Sequence, residues 1–106
     1  MKDIIKENRG DIESIIEAVI PLENNGSNPI WNVSAREILR GILQYCLETD
    51  SLNSKQVRSL IELKPKNLVK LLEDIEGTET AIGFLTSSEM QSLNYISNLK
   101  RHIRTL

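Results

Sequence analysis

Residues 28–47 read NPIWNVSAREILRGILQYCL, and this is the longest stretch of the chain in which the apolar residues keep one helical phase. Spacings of three and four residues place these side chains on one face of a helix. They are Trp31, Ala35, Ile38, Leu39, Ile42, Leu43, Cys46 and Leu47. Asn28 can cap the helix, and Pro29 suits its first turn because the amide that proline lacks would be unbonded there. The segment therefore predicts a long core helix with Trp31 as its structural anchor.

Shorter helices are predicted on both sides of this central helix. Capping residues and apolar spacing indicate helices that begin after Asp11, after Asn53, at Pro65 and after Thr78, and a long final helix that begins after Thr86. The apolar face predicted for the final helix consists of Met90, Leu93, Ile96, Leu99 and Ile103. We expect one all-α domain over residues 1–106, a compact bundle of about five or six helices around the central helix. Residues 1–10 are left unassigned.

Composition limits the class of protein. A chain of 106 residues with 40% hydrophobic residues can form one modest core without a metal or disulfide. The single cysteine, Cys46, lies on the apolar face of the central helix, which favours a buried structural thiol. No apolar run approaches the ~18 residues that a membrane span requires, and no signal segment is visible, so a cytoplasmic location is expected. Residues 1–53 carry a net charge of −4 and residues 54–106 a net charge of +2, which permits at most a local basic patch.

Residues that would indicate catalysis are scarce. One histidine, His102, and one cysteine cannot provide the nitrogen and sulfur ligands of a usual zinc site, nor a convincing nucleophile and base. The glycines Gly77 and Gly83 lack the following Lys-Ser or Lys-Thr of a phosphate-binding loop. We therefore expect a non-enzymatic domain with no cofactor and no metal.

A basic helix pair is predicted over residues 53–75, NSKQVRSLIELKPKNLVKLLEDI. Its cations are Lys55, Arg58, Lys64, Lys66 and Lys70. Two short helices around a tight connection could offer a helix-turn-helix to phosphates, although the turn contains Leu-Lys-Pro instead of a glycine and no aromatic residue is interleaved. The alternative is that these cations only keep the surface soluble.

The start of the central helix also carries a family resemblance. Residues 28–36 read NPIWNVSAR and follow Ile-Pro and a short polar loop. They resemble the coupling proteins of conjugation and type IV secretion systems (the TraD/TraG-like family), in which Asp-Pro-aromatic-Trp-x-x-Ala-Ala-Arg opens an all-α domain inserted in the motor ATPase. Asn28, Ile30 and Ser34 replace the acid, the first aromatic residue and the first alanine, and these changes preserve the cap and the helix. The resemblance extends from residue 11 to the C-terminus, and after residue 47 it consists of the order of the helices.

This resemblance implies a domain excised from a larger coupling ATPase, whose flanking RecA-like motor holds the nucleotide-binding motifs. The family's all-α domain crowns the cytoplasmic end of a hexameric motor attached to the inner membrane, and itself makes no membrane contact. The implied partners are a secretion substrate, a relaxosome or effector protein, with DNA as an open alternative. The candidate contact residues are Arg36, Arg40, Lys55, Arg58, Lys64, Lys66 and Lys70. For Arg36, a salt bridge within the domain is the rival interpretation.

Three hypotheses follow. The first is a non-enzymatic domain that recognises the substrate of a type IV secretion coupling protein, either a DNA–protein complex or a protein effector. The second is a helix-turn-helix-like DNA-binding regulatory domain, based on the basic helix pair. The third is a small helical enzyme or adaptor, which would require a deep pocket lined by acids with perturbed pKa values.

Overall fold

The computed structural model describes residues 4–8, 11–21 and 29–103, and the side chains of the last range from residue 32 onward. These residues form seven α-helices and no strand, which confirms the all-α prediction. The helices are α1 (Ile4–Glu7), α2 (Ile12–Val19), α3 (Pro29–Glu48), α4 (Ser54–Ile61), α5 (Pro65–Leu72), α6 (Glu79–Leu85) and α7 (Glu89–His102). The helix beyond the expected five or six is the four-residue α1, which lies in the part of the sequence left unassigned.

The long helix α3 is the centre of the bundle, as predicted, and it packs against α2, α4, α5, α6 and α7. The apolar side chains of its buried face are Ala35, Ile38, Leu39, Ile42, Leu43 and Cys46, all with no exposed surface. Leu47 was wrongly assigned to this face: it is 48% exposed, because it lies in the last turn of α3, where the exposed residues Glu48 and Thr49 follow it. The side chains of Asn28 and Trp31 lie outside the described residues, so the cap and the core anchor stay predictions.

Several predicted helix starts are confirmed in atomic detail. The Asp11 carboxylate accepts hydrogen bonds from the backbone amides of Glu13 and Ser14, at 3.1 and 3.3 Å. The Asn53 side chain accepts one from the amide of Gln56 at 2.8 Å. Pro65 occupies the first turn of α5. Each of these groups satisfies, or removes, an amide that has no partner within its own helix.

The side chains of the two threonines expected to cap helices, Thr78 and Thr86, donate hydrogen bonds to preceding carbonyls instead. Thr86 donates its hydroxyl to the carbonyl of Ile82 at 2.8 Å, which closes the end of α6. The cap of α7 is Ser88, whose side chain accepts from the amide of Gln91 at 3.2 Å. In the same way, Thr78 occupies the N-cap position of α6, but its buried hydroxyl donates to the carbonyls of Leu72, the last residue of α5, and of Ile75 instead of accepting from an amide of α6. A threonine between two helices can serve either one, and sequence spacing alone does not decide which.

The buried face of α7 is rotated from the predicted one. Its buried residues are Ser92, Tyr95, Ile96 and Leu99. Met90 and Leu93, which were assigned to the core, are 74% and 51% exposed. The observed face keeps the spacings of three and four residues but begins at a serine, which a search for apolar residues passes over. The rotation leaves two large apolar side chains of α7 uncovered.

The position of α6 against α3 depends on Gly41. A Cβ atom at Gly41 would lie 2.6 Å from the Cβ of Ala81 on α6, which is far inside the contact distance of two carbon atoms. The absence of a side chain therefore lets the backbones of α3 and α6 approach closely.

Candidate functional site

An open groove of about 810 Å³ lies between α5 and the junction of α6 with α7. From α5 and its two cap residues it is lined by Lys64, Pro65, Lys66, Val69, Lys70 and Glu73. From α6, α7 and the turn between them it is lined by Leu85, Thr86, Ser87, Glu89, Ser92 and Leu93. We call this surface the α5–α7 groove. The volume lies within the range of ligand-binding clefts, roughly 300–1,000 Å³.

Three of the predicted cations lie along one edge of this groove. Lys66 and Lys70 are four residues apart and therefore share one side of α5, while Lys64 precedes the first turn. Val69 and the other apolar residues of α5 anchor the helix by facing the core. No ion pair within residues 4–8, 11–21 and 32–103 involves any of the three lysines. All three lysines are exposed.

The groove also has apolar surface. The exposed Leu93 lines it together with the largely buried Val69 and Leu85, and Met90, which is not part of the lining, lies one turn from Leu93 on the same helix. Exposed apolar residues that adjoin a groove often mark an interaction site, whereas single scattered ones need no explanation. The aromatic residue Tyr95 is turned away and packs edge-on against Phe84, with ring centroids 5.3 Å apart. Neither ring lines the groove.

The charge of the lining is slightly positive. The lining contains three lysines, Lys64, Lys66 and Lys70, and two carboxylates, Glu73 and Glu89, so it carries a formal charge of +1. The whole chain carries −2. The groove is therefore a local positive region on a weakly acidic domain.

The other two cations of the basic helix pair lie elsewhere. Arg58 lines a second, smaller pocket of about 330 Å³ with Ile61, Glu62 and Ile103. Lys55 lines neither pocket. The structure therefore brings together Lys64, Lys66 and Lys70 but not the five cations that a helix-turn-helix interpretation groups.

Arg36 has its bonding partners inside the domain. Only 8% of the residue is exposed. Its guanidinium donates to the backbone carbonyl of Ile20 at 2.6 Å and to the carboxylate of Glu17 at 2.5 Å. Both partners belong to α2 or its C-cap, so this arginine ties α2 to α3. This geometry favours the intradomain salt bridge over a contact with a partner.

Arg40, one turn after Arg36 on α3, also bonds to α2. It donates to both carboxylate oxygens of Glu13, each at 2.8 Å, and also pairs with Glu37. The hydrogen bond from Arg40 lowers the pKa of Glu13 and, in return, the bond to Glu13 raises the pKa of Arg40. Bidentate arginine–carboxylate pairs are the stronger kind of surface ion pair. Arg40 therefore joins helices, and it does not line the α5–α7 groove.

Nucleophiles and metal ligands do not converge on the groove. Cys46 is fully buried, and burial raises the pKa of its thiol to about 11. The half-buried His102, near the end of α7, has a pKa lowered by burial and by Arg101. Within the described ranges, no group of three or more His, Cys, Asp and Glu side chains could hold a metal ion. No helix of that same part of the chain is long and apolar enough to cross a membrane.

Sequence reasoning missed the apolar half of the groove. The predicted apolar face of the final helix placed Leu93 in the core, together with Met90. The signal that could have corrected this is the spacing of Ser92, Tyr95, Ile96, Leu99 and Ile103, which fits a single helical face. Once Ser92 is accepted as buried, Leu93 must point to another side of α7.

Comparison with known proteins agrees with the resemblance at the start of α3. Residues 2–105 match the family of the type IV secretion-system coupling protein DNA-binding domain. No curated protein and no solved structure shows significant similarity to the chain. The match covers almost the whole sequence, and the resemblance that begins at Asn28 points to the same proteins. The chain belongs to the family of type IV secretion coupling protein DNA-binding domains.

Proposed function

We propose that this chain is a non-enzymatic domain that recognises the substrate of a type IV secretion coupling protein, and that it contacts the substrate through the α5–α7 groove. The substrate is a DNA–protein complex or a protein effector. The observation that carries the proposal is the grouping of Lys64, Lys66 and Lys70, without ion-pair partners in the described part of the chain, along one edge of an open groove.

The arrangement of the ion pairs supports the choice of this surface. Arg36 and Arg40 form ion pairs with carboxylates of α2 and so hold α2 against α3, and Lys100 pairs with Glu62 at 3.4 Å. Unpaired cations beside exposed apolar surface are the better candidates for a ligand, because binding need not break an existing bond. Lys66 and Lys70 lie on α5 and Lys64 is its N-cap, and α5 packs against α3, α6 and α7, so the core sets the position of this helix.

In this proposal the domain works as part of a larger protein. A flanking RecA-like motor would supply ATP hydrolysis, and the parent protein would be attached to the inner membrane with this domain on the cytoplasmic side. The partners would be the relaxosome or an effector protein, presented to the motor by the groove. The family match does not favour a free-standing helix-turn-helix regulator.

Transfer in living cells tests the proposal. Donor cells would carry Lys66→Ala with Lys70→Ala in the only copy of the gene, and passage of DNA or of a tagged effector into recipient cells would be counted. We expect transfer to fall about tenfold or more, since losing two charge contacts weakens binding by roughly that factor. A matched control, Lys55→Ala with Lys100→Ala, removes the same charge outside the groove and should leave transfer near the wild-type level. Equal transfer by both double variants would refute the proposal.

A further inference from the structure

We propose, on the basis of the function above, that the α5–α7 groove binds a short protein segment with both acidic and apolar side chains, and that DNA is not its ligand. The segment would belong to the translocated protein or to the protein bound to translocated DNA. The juxtaposition that carries the inference is a lysine edge facing uncovered leucine within one groove.

The apolar part of the groove requires apolar groups in the ligand. Leu93 is 51% exposed and supplies most of the uncovered apolar side-chain surface of the groove, whereas Val69 and Leu85, which also line it, are only 8% and 4% exposed. Burying such surface releases water and favours association by about 25 cal/mol per Å² of apolar area. A phosphate backbone offers nothing apolar to this surface, whereas leucine, isoleucine or phenylalanine side chains of a peptide would cover it.

The cationic edge selects the charge of the same ligand. Lys66 and Lys70 lie on one side of α5, and Lys64 extends the edge past the start of the helix. Carboxylates of a peptide that lies along the groove can pair with these lysines while its apolar side chains reach Leu93. The groove is therefore complementary to an amphipathic acidic segment.

Two features count against DNA in this groove. Its lining contains no aromatic side chain on which a base could stack, since Phe84 and Tyr95 pack on each other elsewhere. Nucleic-acid sites also have a larger excess of positive charge than the +1 found here.

Binding of designed probes to the full 106-residue chain tests the inference. Three labelled peptides of equal length would be titrated by fluorescence anisotropy: one with leucines at helical spacing and flanking glutamates, one with the glutamates changed to lysine, and one with the leucines changed to serine. A labelled single-stranded and a duplex oligonucleotide would be titrated in the same buffer. The variants are Lys66→Ala with Lys70→Ala, and Leu93→Ser. Their controls outside the groove are Lys55→Ala and Leu47→Ser, and Leu47 is as exposed as Leu93.

We expect saturable binding of the acidic leucine peptide alone among the three. Its dissociation constant should rise about fivefold or more with Leu93→Ser and with the double lysine variant, and should not change with either control. Amide chemical shifts should move on α5 and at the junction of α6 with α7. If the acidic leucine peptide fails to bind, or binds Leu93→Ser and Leu47→Ser equally, the inference is overturned. If an oligonucleotide binds through the lysines and is unaffected by Leu93→Ser, the inference fails while the proposed function stands.

Discussion

Replacement of Gly41 by alanine is the sharpest test of how the bundle is packed. The new Cβ would lie 2.6 Å from the Cβ of Ala81, 3.4 Å from the Cδ1 of Leu72 and 3.9 Å from the Cβ of Thr78. Carbon atoms in contact are about 3.5–4.0 Å apart, so α3 and α6 must separate by about 1 Å. The opposing atom is a Cβ fixed to the α6 backbone, and it cannot rotate out of the way.

Two opposing terms set the size of the effect. Alanine is favoured over glycine in a helix interior by about 1 kcal/mol. Overpacking a core costs about 1–3 kcal/mol, and a contact between two fixed Cβ atoms belongs at the upper end of that range. We expect Gly41→Ala to lower the free energy of unfolding by about 2 kcal/mol, which corresponds to a melting temperature about 10 °C lower for a domain of this size.

Thermal and urea unfolding monitored by circular dichroism measures this effect. The control is Gly83→Ala on α6, where a Cβ meets no atom within 4 Å, and which we expect to raise stability by about 0.5–1 kcal/mol. The double variant Gly41→Ala with Ala81→Gly should recover most of the loss, because it removes the clash. A Gly41→Ala protein at least as stable as the wild type would show that α3 and α6 are not in the close contact described.

Three further predictions concern titratable groups. The pKa of Glu13 should rise toward its ordinary value of 4.5 in Arg40→Gln, as a carboxyl NMR titration would show, because the hydrogen bond from Arg40 lowers it. In the wild type, the ion pair of Glu13 with Arg40 stabilises the fold at pH values above 4.5, and this stabilisation is lost as the pH falls through the lowered pKa of Glu13. Cys46 should resist alkylation at neutral pH until denaturant is added, since burial raises its pKa to about 11, and labelling followed by mass spectrometry checks this. Because the pKa of His102 is lowered in the folded protein, the unfolded chain binds a proton at this histidine first as the pH falls. The free energy of unfolding should therefore decrease as the pH drops below 6.5, and it should decrease less steeply with pH in His102→Gln. Urea unfolding measures this, and the same pH dependence in both proteins would contradict the prediction.

The features that the sequence predicts well are those decided locally. The phase of α3 is set by six buried apolar residues in one segment, and the caps at Asp11 and Asn53 bond amides two or three residues away. Such patterns need no knowledge of the neighbouring helices. The family resemblance also depends on a local segment at the start of α3.

The features that the sequence left open or did not predict depend on tertiary partners. Arg36 bonds Glu17 and Ile20, which are 19 and 16 residues away, and periodicity cannot distinguish such a buried arginine from one that faces a ligand. Leu93 is exposed because the neighbouring helices select the face of α7 that contains Ser92 and Tyr95. The α5–α7 groove is formed by segments about 20 residues apart, so only its lysine edge was visible beforehand.

Photo-cross-linking in donor cells tests the central claim most directly, namely that the α5–α7 groove receives the substrate. The photoreactive residue p-benzoylphenylalanine would replace Leu93 in one strain and the equally exposed Leu47 in another. During active transfer, we expect irradiation to give an adduct with the translocated substrate from position 93 and none from position 47. Adducts of equal yield from both positions, or adducts from position 47 alone, would contradict the account.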